Sequence, residues 1–224
     1  AYQAFEVPDV APVVPLGGQH YLLELFHGPT LAFKDVAMQL LARLMDEALL
    51  RRGRRATIIG ATSGDTGGAA IEAFRGRENI DIFIFFPEGR VSDVQRKQMT
   101  TPTDSNVHAL AIDGTFDDCQ ALVKDMFNDA DFRHETGLAG VNSINWARVM
   151  AQTVYYFTAS AQLGGPDKEV AFSVPTGNFG DIFTGYVAKQ MGLPIAQLMI
   201  ATNINDSLAR VLKTGTYEIG DVVA

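Results

Sequence analysis

Cysteine is nearly absent from this sequence, since Cys119 is the only one among 224 residues. One cysteine cannot form an internal disulfide, and a reducing, cytoplasmic compartment is therefore expected. No apolar run approaches the roughly 20 residues that span a bilayer, and no signal peptide is visible. The missing initiator methionine and the abrupt ending at Ala224 predict that this is a piece of a longer protein.

Positive charge is also scarce. The chain has 18 lysines and arginines against 26 aspartates and glutamates, which gives a formal net charge of −8. This excess argues against nucleic acid or an anionic membrane as a partner. The one basic cluster, residues 51–55, predicts a solvated helix end around Gly53, where cations are favoured. A phosphate or RNA patch is the weaker interpretation of the same cluster.

Several catalytic signatures are missing as well. The sequence has neither the P-loop pattern G-x-x-x-x-G-K-[ST] nor the dinucleotide pattern G-x-G-x-x-G. It also lacks the G-x-S-x-G turn of serine hydrolases. Four scattered histidines, no H-E-x-x-H and no paired cysteines predict that no metal site is present.

What the sequence does contain is an alternation of short β-rich apolar runs with helical ones from Ala56 onward. This alternation predicts an α/β fold in which helices cover both faces of a parallel sheet. Apolar spacings of i, i+3 and i+4 predict the longer helices. Strands are predicted at 57–60, 81–86, 107–112, 170–174 and 198–202, and helices at 35–50, 116–130 and 146–162.

The helical patterns also predict which side chains face a core. Cys119 lies on the apolar side of helix 116–130, which makes it a core thiol rather than a nucleophile. Helix 146–162 carries the apolar residues Trp146, Val149, Met150, Val154 and Phe157, which are expected in the core. The expected domain organisation places 56–145 in a smaller α/β domain, and 1–55 with 146–224 in a larger one.

Two segments place a G-x-x-G turn between a predicted strand and a predicted helix, at 64–67 and 177–180. Glycines let the backbone turn sharply and leave N–H groups pointing outward at the helix N-terminus, where an anion binds without a cation. In open α/β sheets, ligands lie beyond the carboxyl ends of strands, where both turns fall. Either turn alone could be a tight helix entry. Two of them, both rich in Ser, Thr and Asn, favour a small anionic ligand.

Lys34 stands at the start of predicted helix 35–50, where a helix N-terminus disfavours positive charge. Desolvation by the neighbouring apolar residues 31–33 would disfavour the ammonium form further. A neutral lysine forms a Schiff base with pyridoxal phosphate. Two phosphate-binding turns and this lysine together fit a phosphorylated aldehyde cofactor. The alternative is a solvated lysine in a non-catalytic domain that binds a phosphate ligand.

Four motifs then resemble those of threonine synthase. These are FHGPTLAFKD (26–35), ATSGDTG (61–67), NSINWAR (142–148) and SVPTGNFGD (173–181). The resemblance extends from about residue 23 to about residue 207. It implies a pyridoxal-phosphate enzyme with the doubly wound, parallel-sheet, two-domain architecture of tryptophan synthase β (fold type II). It also implies a chain incomplete at both ends, because the family's Ser or Thr partner of the pyridine nitrogen would lie beyond Ala224.

The resemblance implies a role for each matching residue. Lys34 would form the Schiff base with the cofactor and act as the catalytic base. The cradle of the cofactor phosphate would be Gly177, Asn178, Phe179, Gly180 and Asp181. The substrate carboxylate and the hydroxyl side of the cofactor would face Ser63, Gly64, Asp65, Thr66 and Gly67. A second polar set would contact substrate, with capping of helix 146–162 as an equal alternative: Asn142, Ser143, Asn145 and Arg148.

The implied reaction converts O-phospho-L-homoserine and water to L-threonine and phosphate, in amino-acid biosynthesis. It would make the protein a carbon–oxygen lyase acting on a phosphate ester, either a monomer or a homodimer. Helix N-termini and glycine turns would hold the anionic groups in a protein that is itself acidic. Within the same fold type, a serine or threonine dehydratase is the alternative.

Overall fold

A four-stranded parallel sheet organises the first part of the chain. The computed structural model describes residues 2–5, 8–143 and 145–217, and the chain divides into two compact units, 1–151 and 152–224. In the first unit the sheet has the order β5-β4-β3-β6. Its strands are β3 (Ala56–Ala61), β4 (Ile80–Pro87), β5 (Val107–Ile112) and β6 (Leu138–Gly140), preceded by the antiparallel hairpin of β1 (Val13–Gly17) and β2 (His20–Leu23).

Helices connect these strands. A 3-10 turn at Tyr2–Ala4 begins the described chain. The helices are α1 (Lys34–Arg52), α2 (Asp65–Phe74), α3 (Asp93–Thr100), α4 (Phe116–Asn128), α5 (Ala130–Thr136) and α6 (Trp146–Gln162). No helix among the described residues is both long enough and apolar enough to cross a membrane.

The core of the first unit forms on both faces of the sheet. Ile58 and Ile82 pack on one face with residues of α1 and α2 such as Met38 and Phe74. Their neighbours in sequence point the opposite way, because strand side chains alternate. Ile59 therefore packs on the other face with Cys119 of α4, which is fully buried. The predicted two-sided covering of a parallel sheet is confirmed, and so is the core position of the thiol.

The second unit contains a parallel strand–helix–strand arrangement. Strand β7 (Val170–Pro175) pairs in parallel with β8 (Ile195–Ala201), and α7 (Gly180–Gln190) connects them. The last described helix is α8 (Ser207–Thr214). The predicted strand 198–202 is present but begins three residues earlier. All four strands of the larger sheet lie within the predicted smaller domain, 56–145, whose separation from the flanks stays a prediction.

The basic cluster ends a helix, as expected. Gly53 adopts a left-handed conformation and donates its N–H to the carbonyls of Leu49 and Leu50, the usual glycine C-cap. Arg51 pairs with Glu47 at 2.7 Å and is mostly solvated. A solvated helix end accounts for these arginines.

The core assignment for α6 is partly wrong. Trp146, Met150 and Val154 have exposed fractions of 63%, 50% and 46%. Val149 is buried as expected, and Tyr156, which was not in the expected set, is buried as well. Periodicity identifies the residues that share a helix face, but it does not identify what covers that face.

Candidate active site

Lys34 is the first residue of α1, and its side chain is only 15% exposed. Its ammonium nitrogen lies 3.2 Å from Oδ2 of Asp65 and 4.5 Å from the centre of the Phe33 ring. Asp65 opens α2, so the structure brings the lysine and the S-G-D-T-G turn together. Sequence reasoning assigned Asp65 to the substrate side and did not foresee this counter-charge for Lys34.

The electrostatics of this pair keep the carboxylate ionised. Burial raises the pKa of Asp65, but a hydrogen bond from Gln95 and the charge of Lys34 lower it by more. The pKa of Asp65 therefore lies below its usual range. At neutral pH an anion stands beside the lysine nitrogen, where it can hold the ammonium group in one place.

The loop before Lys34 is fixed by a buried carboxylate. Asp35 is fully buried, and it accepts hydrogen bonds from the N–H of Thr30 at 2.8 Å and from its hydroxyl at 2.7 Å. A Cβ on Gly28 would lie 2.5 Å from Asp35, so only glycine allows this approach. Leu31 has a φ of 60°, a conformation that is uncommon for a bulky residue. This loop is therefore tightly constrained just where it delivers the lysine.

The turn from β3 to α2 is organised by Thr62, whose side chain is buried. Its hydroxyl accepts hydrogen bonds from the N–H groups of Gly64 at 3.0 Å and Gly67 at 3.1 Å. It donates to the carbonyl of Gly64 at 2.8 Å. Sequence reasoning missed Thr62, although a threonine that directly follows a strand and precedes glycine is a local signal for such a turn.

We expect Thr62→Val to lower the free energy of unfolding by about 2 kcal/mol, because it leaves the N–H of Gly64 without an acceptor and removes the second acceptor of the Gly67 N–H, which also donates to the carbonyl of Gly64. The shape of the side chain is conserved, so the loss reports on the hydroxyl. Thr62→Ser keeps the hydroxyl and serves as the matched control, with an expected loss of about 1 kcal/mol for the missing methyl. Urea unfolding measures both losses, provided that the dependence of the free energy of unfolding on urea concentration is the same in each variant. Equal losses in the two variants would contradict the role of the hydroxyl.

A cavity of about 390 Å³ lies beside this turn in the first unit. Three of the predicted substrate residues line it, namely Thr66, Gly67 and Asn142. Helix α4 contributes Gln120 and Lys124, which the sequence did not single out. The cavity is large enough for a small ligand, and it combines a helix N-terminus, neutral donors and one cation.

Asn145 and Arg148 of the N-S-I-N-W-A-R motif have structural contacts. Asn145 accepts a hydrogen bond from the N–H of Ala147 at 3.0 Å and donates to the carbonyl of Gly140 at 3.1 Å, so it caps α6. Arg148 is 2% exposed and donates to the carbonyl of Val141 at 3.0 Å. Ser143 is half-buried. The capping alternative is confirmed for Asn145, while the substrate role of the motif stays a prediction.

In the second unit, the predicted phosphate cradle is the turn between β7 and α7. Phe179 occupies the N-cap of α7 with φ 59° and ψ −9°, a left-handed conformation that costs a bulky residue roughly 1–3 kcal/mol. Within the described residues, the N–H groups of Gly177, Asn178 and Phe179 donate no hydrogen bond to the backbone. A Cβ at Gly177 would meet nothing within 4 Å. Three N–H groups without a backbone acceptor, and free space beside Gly177, fit a phosphate.

Asp181 lies in the first turn of α7 and is engaged by two tyrosines of α6. The hydroxyl of Tyr155 donates to Oδ1 of Asp181, and the hydroxyl of Tyr156 donates to the same atom at 3.1 Å. Burial and the neighbouring Asp181 charge raise the pKa of Tyr156, so its hydroxyl remains a donor. These bonds anchor the helix that carries the cradle. Neither tyrosine was identified from the sequence, because each is distant from the turn along the chain.

Comparison with known proteins gives a consistent result. The family of pyridoxal-phosphate dependent enzymes matches residues 11–223. Threonine synthase of Pseudomonas aeruginosa is 59% identical over 217 residues, covering 97% of this chain and 46% of that protein. Threonine synthase of Saccharomyces cerevisiae is 49% identical over 238 residues, covering 100% of this chain and 46% of that protein.

A solved structure gives the same likeness. The crystal structure of PLP-bound threonine synthase from Brucella melitensis matches with a TM-score of 0.92 and 66% identity, covering 100% of this chain and 48% of that chain. The chain thus spans about half the length of the curated relatives it matches. These likenesses confirm the resemblance that the four motifs indicated, and they confirm the fold-type-II α/β architecture.

Proposed function

The chain belongs to the family of pyridoxal-phosphate dependent enzymes, and from this premise we propose that the protein containing it is a threonine synthase. It would convert O-phospho-L-homoserine and water to L-threonine and phosphate. The observation that carries the proposal is the identity with threonine synthases along nearly the whole chain. The pairing of Lys34 with Asp65 supports it, because it places the lysine nitrogen beside a predicted substrate turn.

Pyridoxal phosphate, when bound, supplies an electron sink for negative charge at the substrate α-carbon. Lys34 would hold its aldehyde carbon through Nζ, as a Schiff-base lysine. After the substrate amine replaced it on that carbon, the same nitrogen, released as a neutral amine, would take a proton from the substrate α-carbon. Asp65, whose Oδ2 lies 3.2 Å away, would hold this nitrogen in place whenever it is charged.

The phosphate of the cofactor would be held by backbone donors of the cradle, Gly177 to Gly180, at the N-terminus of α7. Asp181 would contribute by anchoring α7 through its bonds from Tyr155 and Tyr156. The substrate would occupy the cavity beside the turn of Thr66 and Gly67. The proposed substrate residues stay those of the motifs: Ser63, Gly64, Asp65, Thr66, Gly67, Asn142, Ser143, Asn145 and Arg148.

This arrangement reconciles an acidic protein with anionic ligands. The chain carries a net charge of −8, yet its proposed anion sites use N–H groups and two helix N-termini instead of surplus cations. The same proposal includes a cytoplasmic enzyme that is either a monomer or a homodimer. It also includes the division into a smaller domain, 56–145, and a larger one.

The direct test supplies the purified full-length protein with pyridoxal phosphate and O-phospho-L-homoserine. We expect L-threonine and inorganic phosphate to appear in equal amounts. A parallel reaction with L-threonine or L-serine alone should give no 2-oxo acid above background. Release of a 2-oxo acid from those substrates would instead identify a dehydratase. Phosphate binding without turnover of either substrate would identify a binding domain.

A further inference from the structure

Gln95 contacts the predicted site although no motif includes it. It lies in the first turn of α3, and its side-chain Nε2 donates to Oδ1 of Asp65 at 2.6 Å. The other carboxylate oxygen of Asp65 receives the ammonium group of Lys34. One carboxylate thus joins Gln95 to Lys34, with a separate oxygen for each partner.

The orientation of the Gln95 amide is fixed by its own helix. Its Oε1 accepts from the hydroxyl of Ser92 at 2.9 Å, and the N–H of Gln95 donates to that hydroxyl at 3.3 Å. This is a capping box, which occupies the amide oxygen at the start of α3. Only the NH₂ group of Gln95 can therefore point at Asp65. The contact is oriented by the secondary structure and not by a freely rotating side chain.

Close packing also holds α3 against the turn. A Cβ on Gly64 would lie 2.7 Å from Nε2 of Gln95, and one on Gly67 would lie 2.6 Å from the sulfur of Met99. Gln98, one turn further along α3, donates to the carbonyl of Thr30 in the loop before Lys34 at 3.2 Å. Helix α3 thus touches both segments that meet at the lysine.

We propose that Gln95 is a positioning residue that directs the Asp65 carboxylate at Lys34 and thereby sets the reactivity of the lysine amine. The inference rests on the proposed function, in which Lys34 holds the cofactor. A donor at Oδ1 prevents the carboxylate from rotating away, and it favours the charged carboxylate that holds the ammonium group. Without this donor, Asp65 would hold Lys34 less well, and a larger fraction of the amine would be neutral and reactive.

The test measures the reactivity of Lys34 directly. Cofactor-free full-length protein is labelled with acetic anhydride across a pH series, and mass spectrometry quantifies the peptide that contains Lys34. We expect Gln95→Leu to raise the labelling rate near pH 8 about threefold and to shift the pH profile to lower pH. Gln95→Glu keeps a capping box but adds a negative charge beside Lys34, and it should slow labelling instead. Val94→Ala, on the same helix at a side chain that is 67% exposed, should leave the rate within about 1.5-fold of the wild-type rate.

If Gln95 had a purely structural role, both Gln95 variants would change the labelling rate of Lys34 in the same direction. The decisive comparison repeats them in an Asp65→Asn background, where the effect of Gln95→Leu should vanish if it acts through Asp65. Two results would overturn the proposal. One is an unchanged threefold effect of Gln95→Leu in the Asp65→Asn background, and the other is a change of the labelling rate in the same direction for Gln95→Leu and Gln95→Glu. Labelling needs no turnover, so these results stand apart from the product assay for threonine synthase activity. Thermal melting confirms that each variant is folded, and the glutamate variant preserves the helix cap.

Discussion

Lys34→Ala should lower turnover of O-phospho-L-homoserine by about a thousandfold or more in the full-length protein. The variant removes the only atom proposed both to hold the cofactor and to move the substrate proton, and general-base catalysis alone contributes about 10²–10⁴-fold. It also leaves Asp65 without the ammonium group that lies 3.2 Å away. Initial rates of phosphate release, with saturating pyridoxal phosphate, measure the effect.

A covalent readout makes this result specific. Visible absorbance is recorded with added pyridoxal phosphate before and after borohydride, and the trapped pyridoxyl mass is located by peptide mapping. We expect the mass on the peptide that contains Lys34, and none on Lys34→Ala. Lys97→Ala is the matched control, since Lys97 is an exposed lysine of α3 that lies outside the Lys34–Asp65 pair. Trapping on another lysine, with full turnover in Lys34→Ala, would contradict the assignment.

Lys34→Arg tests whether the positive charge beside Asp65 is sufficient or whether the reactive amine is required. The guanidinium keeps a positive charge beside Asp65, but it stays protonated and cannot act as a neutral nucleophile. We therefore expect this variant to melt near the wild-type temperature and still lack both trapping and turnover. A stable but inactive arginine variant would show that the amine, and not the ion pair alone, is required.

The strands of this protein were predictable because their signal is local. The runs at 57–60, 81–86 and 107–112 are short, β-rich and bounded by polar turns, and each became a strand of the parallel sheet. The hairpin of β1 and β2 and the three-residue β6 were not predicted. They are only three to five residues long, and β1 includes Pro15 and Gly17, so none carries a clear period-two apolar pattern.

The candidate site was only partly predictable for the same reason. The glycine turns are local motifs, and they could be located from the sequence alone. The partner of Lys34 lies 31 residues away, and Gln95 lies a further 30 residues beyond Asp65. Only the packing of α1, α2 and α3 brings these three residues together. The desolvation of Lys34 was anticipated, but the carboxylate that stands beside it was not.

Helix α6 shows that a correctly predicted helix does not determine which of its residues are buried. Of the apolar residues expected in the core, Val149 is buried, yet Trp146 and Met150 are at least half exposed. The amphipathic pattern specifies a face that can be buried, whereas burial itself requires a neighbouring surface.

Asp35→Ala should cause the largest loss of stability among the site variants, about 3 kcal/mol. The side chain is fully buried and satisfies both the N–H and the hydroxyl of Thr30. Removing it leaves a buried donor unpaired, which costs about 1–3 kcal/mol, and it adds a small cavity. Asp35→Asn keeps one acceptor oxygen and should lose only about 1 kcal/mol at low pH. Urea unfolding of the two variants measures the difference.

The pH dependence of Asp35→Asn provides a sharper test, because the amide cannot titrate. Burial raises the pKa of Asp35 above its ordinary value of 3.8, although the hydrogen bonds from Thr30 lower it in part. The folded protein therefore binds this proton more tightly than the unfolded chain does. The resulting stabilisation is complete below pH 3.8 and is lost as the pH rises through the raised folded-state pKa.

Stability of the wild type relative to Asp35→Asn should accordingly decline as the pH rises above 3.8 and through the raised pKa of Asp35. Asp93→Asn is the control, because Asp93 also lies in the first turn of a helix but its side chain is 86% exposed. That substitution should not reproduce the trend. If the free energy of unfolding of the wild type instead increased with pH relative to that of Asp35→Asn, the hydrogen bonds from Thr30 would lower the pKa of Asp35 by more than burial raises it. The carboxylate would then stabilise the loop before Lys34 in its charged form.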